Sequence, residues 1–348
     1  METLLKGSNA LVYVAFALVG VTTYNVVKWI TTPKPVQLSD EFILITGTDS
    51  GFGLGTLRSI CAQGARNVIA MCYSQAGADN ALQAGARHVL RVDFLVPGDI
   101  ISATGEIRKL IGDKPLYAII HNAGTCQAGA IDFLTMTAFR NVMEVNFFAV
   151  ASITSELLPL MKRRSASGCN RIILVSSVDG LVSLPCNAPY DASKFALEAY
   201  ADSLRVEQSF WDIKVSVINP STMRTPLALS FFEGERRSWE EKDKEKAKDT
   251  RWKSEWSKEW LEQHIEKGSL GLKQIAQDPE IVVKDLMHAL TSQSPQFRYL
   301  SGTAAKTLFY FLWICPESLS FIFKRGIVNP PPSVITEWRA GDTNIKMD

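Results

Sequence analysis

Paired metal-ligating side chains are scarce in this chain. Six cysteines, at 61, 72, 126, 169, 186 and 315, are spread over 348 residues with no Cys-x-x-Cys pair, and the four histidines are scattered. Zinc sites draw their ligands from closely spaced pairs, so no metal is expected. An excess of one charge is also missing: 37 Lys and Arg stand against 36 Asp and Glu, a net charge of +1. That balance removes nucleic acid from the list of partners. No arginine precedes Arg58, which speaks against a mitochondrial presequence. With 46% hydrophobic residues, the chain has enough apolar material for one large α/β core with appendages.

The first strong pattern is Phe42-Ile43-Leu44-Ile45-Thr46, a β-branched apolar run that reads as a buried parallel strand. It runs straight into Gly47-Thr48-Asp49-Ser50-Gly51-Phe52-Gly53, and Leu54 to Gln63 then reads as helix. Strand, glycine turn and helix in that order suit a dinucleotide: glycines let the backbone approach a pyrophosphate, and the helix N-terminus faces its charge. The spacing is Gly-x-x-x-Gly-x-Gly. At the end of the second strand, Asn67 to Tyr73, an acid would hold the ribose hydroxyls of NAD and an arginine the 2′-phosphate of NADP. Met71, Cys72 and Tyr73 provide neither, so these residues do not settle the choice; NAD is the expected cofactor and NADP stays open. Asp93, after Val89-Leu90-Arg91-Val92, stands where a third strand ends; it suits an adenine amine or a solvated turn equally.

Tyr190 and Lys194 stand four residues apart in Ala-Pro-Tyr-Asp-Ala-Ser-Lys, with Ser177 thirteen positions upstream of Tyr190. Residues at i and i+4 share a helix face, and a nearby ammonium favours a phenolate. A phenol titrates near pH ~10, so drawing it to neutrality takes roughly 4 kcal/mol of differential stabilisation, which one ammonium and a cationic nicotinamide ring could supply.

With these residues in hand, the chain resembles the short-chain dehydrogenase/reductase family from about Glu41 to the neighbourhood of Leu300. Thr46-Gly47-x-x-x-Gly51-x-Gly53 is similar to its phosphate turn, Asn122-Ala123-Gly124 to its motif on the adenine-ribose side, and Asn146, Ser177, Tyr190 and Lys194 to its catalytic tetrad. Pro220-Ser221-Thr222-Met223-Arg224-Thr225 stands where the family has Pro-Gly-x-x-x-Thr beside the nicotinamide, with Ser221 replacing the glycine. His121 replaces an asparagine and reads as a packed strand-end residue. Phe297-Arg298-Tyr299-Leu300-Ser301-Gly302 adds a likeness to the membrane-associated branch of retinol, hydroxysteroid and 3-hydroxybutyrate dehydrogenases.

The resemblance implies a doubly wound parallel α/β sheet, a Rossmann fold, and a homodimer formed through the helices carrying Asn146 and Tyr190. It implies cofactor contacts from Gly47, Ser50, Gly51, Phe52, Gly53, Asp93, Asn122, Ala123, Gly124, Tyr190, Lys194, Pro220, Thr222 and Thr225. Tyr190 would exchange a proton with an alcohol or ketone while hydride moves between the carbinol carbon and the nicotinamide. Ser177 would bond the substrate oxygen, Lys194 would hold the nicotinamide ribose and lower the tyrosine pKa, and Asn146 would support a water chain.

Outside residues 41–300, the expected catalytic domain, the chain changes character. Residues 1–31 read as a single membrane anchor: Ala10 to Ile30 carries no charge until Lys28, and ~20 apolar residues cross a bilayer as helix. Tyr24 and Trp29 suit an interface belt, and residues 32–40 form a linker stiffened by Pro33 and Pro35. Such an uncleaved anchor points to the endoplasmic reticulum membrane, with the mitochondrial inner membrane as the alternative. Within the domain, residues 231–267 read as a charged lid insert in which Trp252, Trp256 and Trp260 form one stripe on a helix. That stripe packs on the core, walls an apolar pocket or touches a membrane. Residues 301–348 form an apolar extension and an irregular tail; Thr307 to Cys315 and Leu319 to Phe323, split by Pro316, suit a membrane-dipping helix pair or a pocket cover.

Together these features favour an oxidoreductase acting on an apolar alcohol or ketone such as a retinoid, steroid or other lipid. One alternative is a hydroxybutyrate-type dehydrogenase, which needs a cation such as Arg224 or Lys267 for its carboxylate. Another is a non-enzymatic subunit of a membrane complex that retains the fold.

Overall fold

In the computed structural model, residues 35–244 and 251–327 are described. Among the described residues, 37–244, 251–291 and 295–327 belong to one compact unit. The expected anchor at 10–30 and the tail from 329 onward lie outside the described residues, as does the N-terminal part of the 32–40 linker. Among the described residues no helix is long and apolar enough to cross a membrane.

Seven strands form one sheet in the order β3-β2-β1-β4-β5-β6-β7. They are β1 (Phe42–Thr46), β2 (Asn67–Cys72), β3 (His88–Arg91), β4 (Leu116–His121), β5 (Arg171–Val175), β6 (Lys214–Pro220) and β7 (Arg298–Ser301), and every pairing is parallel. Parallel strands need crossovers, and helices supply most of them: α1 (Gly51–Ala62), α2 (Gln75–Gln83), α3 (Pro97–Ile111), α4 (Met136–Met143), α5 (Ala149–Met161) and α6 (Ala188–Gln208). The uninterrupted burial of β1, β4 and β5 follows, since helices cover both faces of the sheet. One side of the core joins Ile107 of α3, Ile153 and Leu157 of α5, and Leu197 and Ala201 of α6 to Leu44, Ile119 and Ile172 of the strands. The strand order reverses between β1 and β4, the switch point at which open α/β sheets bind ligands beyond the strands' carboxyl ends.

After β6 the chain forms α7 (Pro226–Leu229), α8 (Phe231–Lys244), α9 (Arg251–Glu255), α10 (Lys258–Ile275) and α11 (Glu280–Thr291). The expected single tryptophan-bearing helix is two helices. Ser257 caps the second by accepting the Trp260 amide at 3.2 Å, which ends the first at Glu255. The three indoles still converge, on Phe133 and Trp239, with Trp252 and Trp260 each 7% exposed. Their burial favours packing over membrane contact for Trp252 and Trp260. Beyond β7, a π turn at Ala305–Phe309 leads into α12 (Tyr310–Ile314), and Pro316 opens α13 (Glu317–Arg325).

Candidate active site

The glycine turn is held tightly. A side chain on Gly47, whose φ is +71°, would meet the Ala123 Cα at 2.6 Å, and one on Gly53 would stand 2.2 Å from the Gly47 oxygen. Only glycine lets the β1 and β4 loops approach so closely. Thr46 Oγ1 accepts the amides of Asn122 and Ala123 at 3.1 and 3.0 Å, and the Asn122 amide donates to the Thr46 and Gly47 carbonyls at 3.1 and 2.9 Å. Both donors of the Asn122 side chain are thus engaged by backbone; it latches two loops together while also lining the cleft described next.

Ser50 caps α1 without a side-chain hydrogen bond, and no acid occupies the first turn. The amides of that turn face a cleft of about 710 Å³ lined by Gly47, Ser50, Gly51, Phe52, Asp93, Asn122, Ala123, Gly124 and Thr225. Bare backbone, a free helix N-terminus and a cleft of this size fit a dinucleotide's pyrophosphate. Gly53 supports the turn from behind, while Pro220 and Thr222 stand outside the cleft wall. Pro220 pairs with Ser301 in the sheet, and the Thr222 carbonyl accepts the Gln277 amide at 3.0 Å. Ser221 fits where glycine was expected, its amide donating to the Ser301 carbonyl at 3.0 Å. Asp93 accepts the Leu95 amide at 2.9 Å, a turn contact that leaves it at the cleft edge.

The acid missing from the end of β2 is supplied from elsewhere. Asp49, in the glycine turn, accepts the Tyr73 amide at 2.9 Å, the Ser74 amide at 2.8 Å and the Ser74 hydroxyl at 2.7 Å. A carboxylate therefore sits where a ribose is expected. Sequence position hid it, because it arrives from 24 residues upstream of Tyr73.

Behind Thr125 and Val145 of the cleft wall, α4 continues through a π turn at Glu144–Phe148 that contains Asn146, which is 1% exposed; Asn146, Ser177, Tyr190 and Lys194 stand outside the lining itself. Asn146 Oδ1 accepts the Thr125 amide at 2.8 Å, and its Nδ2 donates to the Thr125 carbonyl and to Ser193 Oγ, each at 2.9 Å. Ser193 in turn donates to the Tyr190 carbonyl at 2.7 Å. Lys194 donates to the Val175 carbonyl at 2.9 Å, and its Nζ lies 5.4 Å from the Tyr190 ring centre. Ser177 caps a 3-10 turn at Val178–Gly180 and accepts the Asp179 amide at 3.1 Å. The four tetrad side chains thus gather around the start of α6.

The electrostatics of the chain by itself oppose the Lys194 effect. Burial pushes the Tyr190 phenol well above its ordinary value, and the Asp179 carboxylate beside it adds to the effect; a hydrogen bond with Ser177 opposes them. Burial also lowers Lys194 to about 8. The i, i+4 ammonium does not by itself make a phenolate, because both groups are desolvated together and the nearest other charges are acids. His121 is 2% exposed, with Nε2 2.9 Å from Thr154 Oγ1, and burial lowers it to about 3, as suits a packed strand-end residue.

Sequence reasoning missed the support beneath Ser177. Asn219 donates to the Ser177 carbonyl at 2.8 Å and to Glu198 at 2.6 Å; Arg298 pairs with Glu198 at 2.7 Å and donates to Asn219 at 2.8 Å. Arg298 lies in the segment 297–302 singled out above, but its partners are distant in sequence. The insert closes the site from outside: Ser238 donates to the Ala128 carbonyl at 2.7 Å, and Gln127 to Glu241 at 2.9 Å.

Comparison with known proteins agrees with this architecture. The short chain dehydrogenase family matches residues 41–236. The chain is 30% identical to bovine (Bos taurus) 17-beta-hydroxysteroid dehydrogenase type 6 over 318 residues, covering 89% of this chain and 96% of that relative. It is 34% identical to Retinol dehydrogenase 7 of Mus musculus over 281 residues, covering 79% and 84%. Among solved structures, a short-chain dehydrogenase from Streptomyces avermitilis superposes with a TM-score of 0.61 at 21% identity, covering 87% of this chain and 100% of that one. One from Burkholderia cenocepacia, in complex with NADP, gives 0.60 at 19%, covering 84% and 100%.

Proposed function

Since the chain belongs to the short-chain dehydrogenase family and is an NAD(P)-dependent oxidoreductase, we propose that it moves hydride between the nicotinamide and a lipid alcohol or ketone, with Tyr190 as the acid/base. What supports this reading is the convergence of Tyr190, Ser177, Lys194 and Asn146 directly behind Gly124, which lines the cleft: a Cβ on Gly124 would stand 3.4 Å from Asn146 Oδ1 and 3.7 Å from Lys194 Nζ. A bound oxidised nicotinamide supplies the hydride acceptor and a positive charge beside the phenol. The phenol, held high by burial, rests protonated and donates to a ketone oxygen directly; in oxidation it acts only after losing its own proton, the positive nicotinamide ring favouring the phenolate that then takes the alcohol proton. Ser177 orients the reacting oxygen, Lys194 binds the ribose hydroxyls, and Asn146 fixes the loop at Thr125 against α6.

An uncharged substrate fits better than a hydroxy acid. The ionisable neighbours that raise the phenol, Asp179 and Asp191, are acids and offer a carboxylate no cationic partner. Arg224 is exposed and donates to the Ala276 carbonyl at 3.3 Å, and Lys267 is exposed on α10. The relatives named for hydroxysteroids and retinol support lipid alcohols as the class. Asp49 at the ribose end favours NAD over NADP, because a 2′-phosphate would face a carboxylate. Retention of the whole tetrad argues against a purely structural subunit.

Two attachments complete the proposal. Ile314, Phe321 and Ile322, on α12 and α13, are 62%, 61% and 68% exposed; with the apolar run at 10–30 they support a membrane-bound enzyme, at the endoplasmic reticulum before the mitochondrial inner membrane. Exposed Phe148 and Phe195, beside Asn146 and Tyr190, support a homodimer. The test is purified protein supplied with NAD or NADP and a panel of retinol, steroid alcohols and 3-hydroxybutyrate. Nicotinamide reduction with a lipid alcohol is expected, faster with NAD; nucleotide binding without turnover of any alcohol refutes the enzymatic reading.

A further inference from the structure

Two adjacent arginines on α8 are used differently. Arg236 is committed to acids: its Nε and Nη2 donate to Glu262 at 3.0 and 2.7 Å, and its Nη1 pairs with Glu233. Arg237 is exposed and has no hydrogen bond or ion pair among the described residues, yet it lines the cleft of about 710 Å³. Its neighbours hold α8 in place. Ser238 donates to the Ala128 carbonyl at 2.7 Å, and Trp239 Nε1 to the Trp256 carbonyl at 2.9 Å. A Cβ on Gly234 would stand 3.7 Å from the Ala128 nitrogen and 4.0 Å from both the Cys126 oxygen and Arg237 Nη2, so the guanidinium, α8 and the 126–128 loop meet at one point of the cleft wall.

The charge of this wall is otherwise negative. Besides Arg237 its charged residues are Asp49, Asp93 and Glu241, and each acid already has a partner in the chain. Asp49 accepts from Tyr73 and Ser74, Asp93 accepts the Leu95 amide, and Glu241, which shares the Arg237 face of α8 at i+4, accepts the Gln127 amide at 2.9 Å. The arginine alone is left without one. A dinucleotide brings a negative charge on each phosphate, against which a helix N-terminus sets only about half a positive charge. The planar fork of a guanidinium matches phosphate oxygens and supplies the missing charge. The chain leading to α8 also lies over the turn, since a Cβ on Gly51 would meet Thr225 Cγ2 at 3.6 Å.

We propose that Arg237 binds the pyrophosphate of the dinucleotide from the lid, so that the cofactor is held between the glycine turn and α8. The bound cofactor then fastens the lid over the cleft before the alcohol arrives. With Arg237 occupied, a substrate carboxylate finds no cation in the wall, which agrees with an uncharged substrate. This inference rests on the dinucleotide reading of the cleft and adds to it a contact from outside the glycine turn.

The test compares dissociation constants of the purified protein and its Arg237→Gln variant for NADH and NADPH, read by nicotinamide fluorescence, and for ADP-ribose and adenosine, read by displacement of NADH. Affinity for NADH and ADP-ribose is expected to fall roughly tenfold or more in the variant, and by less at high salt, while adenosine binding and the melting of the nucleotide-free protein stay as in the parent. Arg237→Lys, which keeps the charge but not the fork, recovers part of the loss. Unchanged NADH affinity overturns the inference, as does an equal loss for adenosine. A loss confined to NADPH would assign the arginine to a 2′-phosphate, and a raised KM for 3-hydroxybutyrate at unchanged NADH affinity would assign it to a substrate carboxylate; either overturns the inference while leaving the dehydrogenase reading standing. Absence of nucleotide binding by the unmutated protein brings down the inference and the dinucleotide reading together.

Discussion

The glycine turn and the region beneath the lid hold their polar groups in different ways. At the glycine turn, Thr46, Asn122 and Asp49 direct most of their side-chain hydrogen bonds into neighbouring backbone, and the turn is fixed before any ligand arrives. Beneath the lid, Asp179 receives a 3.4 Å contact from Asn187, and Glu235 has the weakly donating Cys186 thiol and His264 Nε2 at 3.5 Å as its polar neighbours. The price of the second arrangement is stability, because desolvated carboxyls with weak partners oppose folding.

That contrast can be broken from either side. Gly53→Ala attacks the glycine turn: its Cβ would stand 2.2 Å from the Gly47 oxygen and 2.4 Å from Asn122 Nδ2. Nucleotide affinity measured by calorimetry is expected to fall roughly a hundredfold, about 3 kcal/mol, because the turn and the latch move together. Glu198→Ala attacks the support beneath Ser177, leaving Arg298 and Asn219 without their carboxylate. About 3 kcal/mol of stability should be lost in denaturant titration; a loss below ~1 kcal/mol would show that the network beneath Ser177 is dispensable.

Glu235→Gln sharpens the account of the lid. Burial raises Glu235 from 4.5 to about 7, so the folded protein keeps a proton that the unfolded chain releases between those values. Stability from this group is therefore full below pH ~4.5 and declines as pH rises to ~7, by at most about 3 kcal/mol. The glutamine variant should melt above the parent at pH ~8 and close to it at pH ~4. Equal melting differences at both pH values would place the Glu235 charge in solvent instead.

Much of the glycine-turn region was legible in the sequence, because strand, glycine turn and helix are local patterns. Phe42–Thr46 and the glycines declare themselves within a dozen residues, and so do Tyr190 and Lys194. What escaped reading depends on residues far apart. Asp49 reaches the end of β2 only after the sheet forms, and Arg298 meets Glu198 across 100 residues of chain. The break at Ser257 was missed for a different reason: apolar spacing at Trp252, Trp256 and Trp260 looked continuous, and a capping serine interrupted it. The raised Tyr190 phenol was missed because spacing reports proximity to Lys194 but not desolvation or the nearby Asp179.

The most direct test of the central claim is single-turnover hydride transfer by Tyr190→Phe against the unmutated protein, using one steroid alcohol, saturating NAD and nicotinamide absorbance. With nucleotide affinity unchanged, the rate of the phenylalanine variant should fall by ~10²–10⁴. An undiminished rate would contradict Tyr190 as the acid/base.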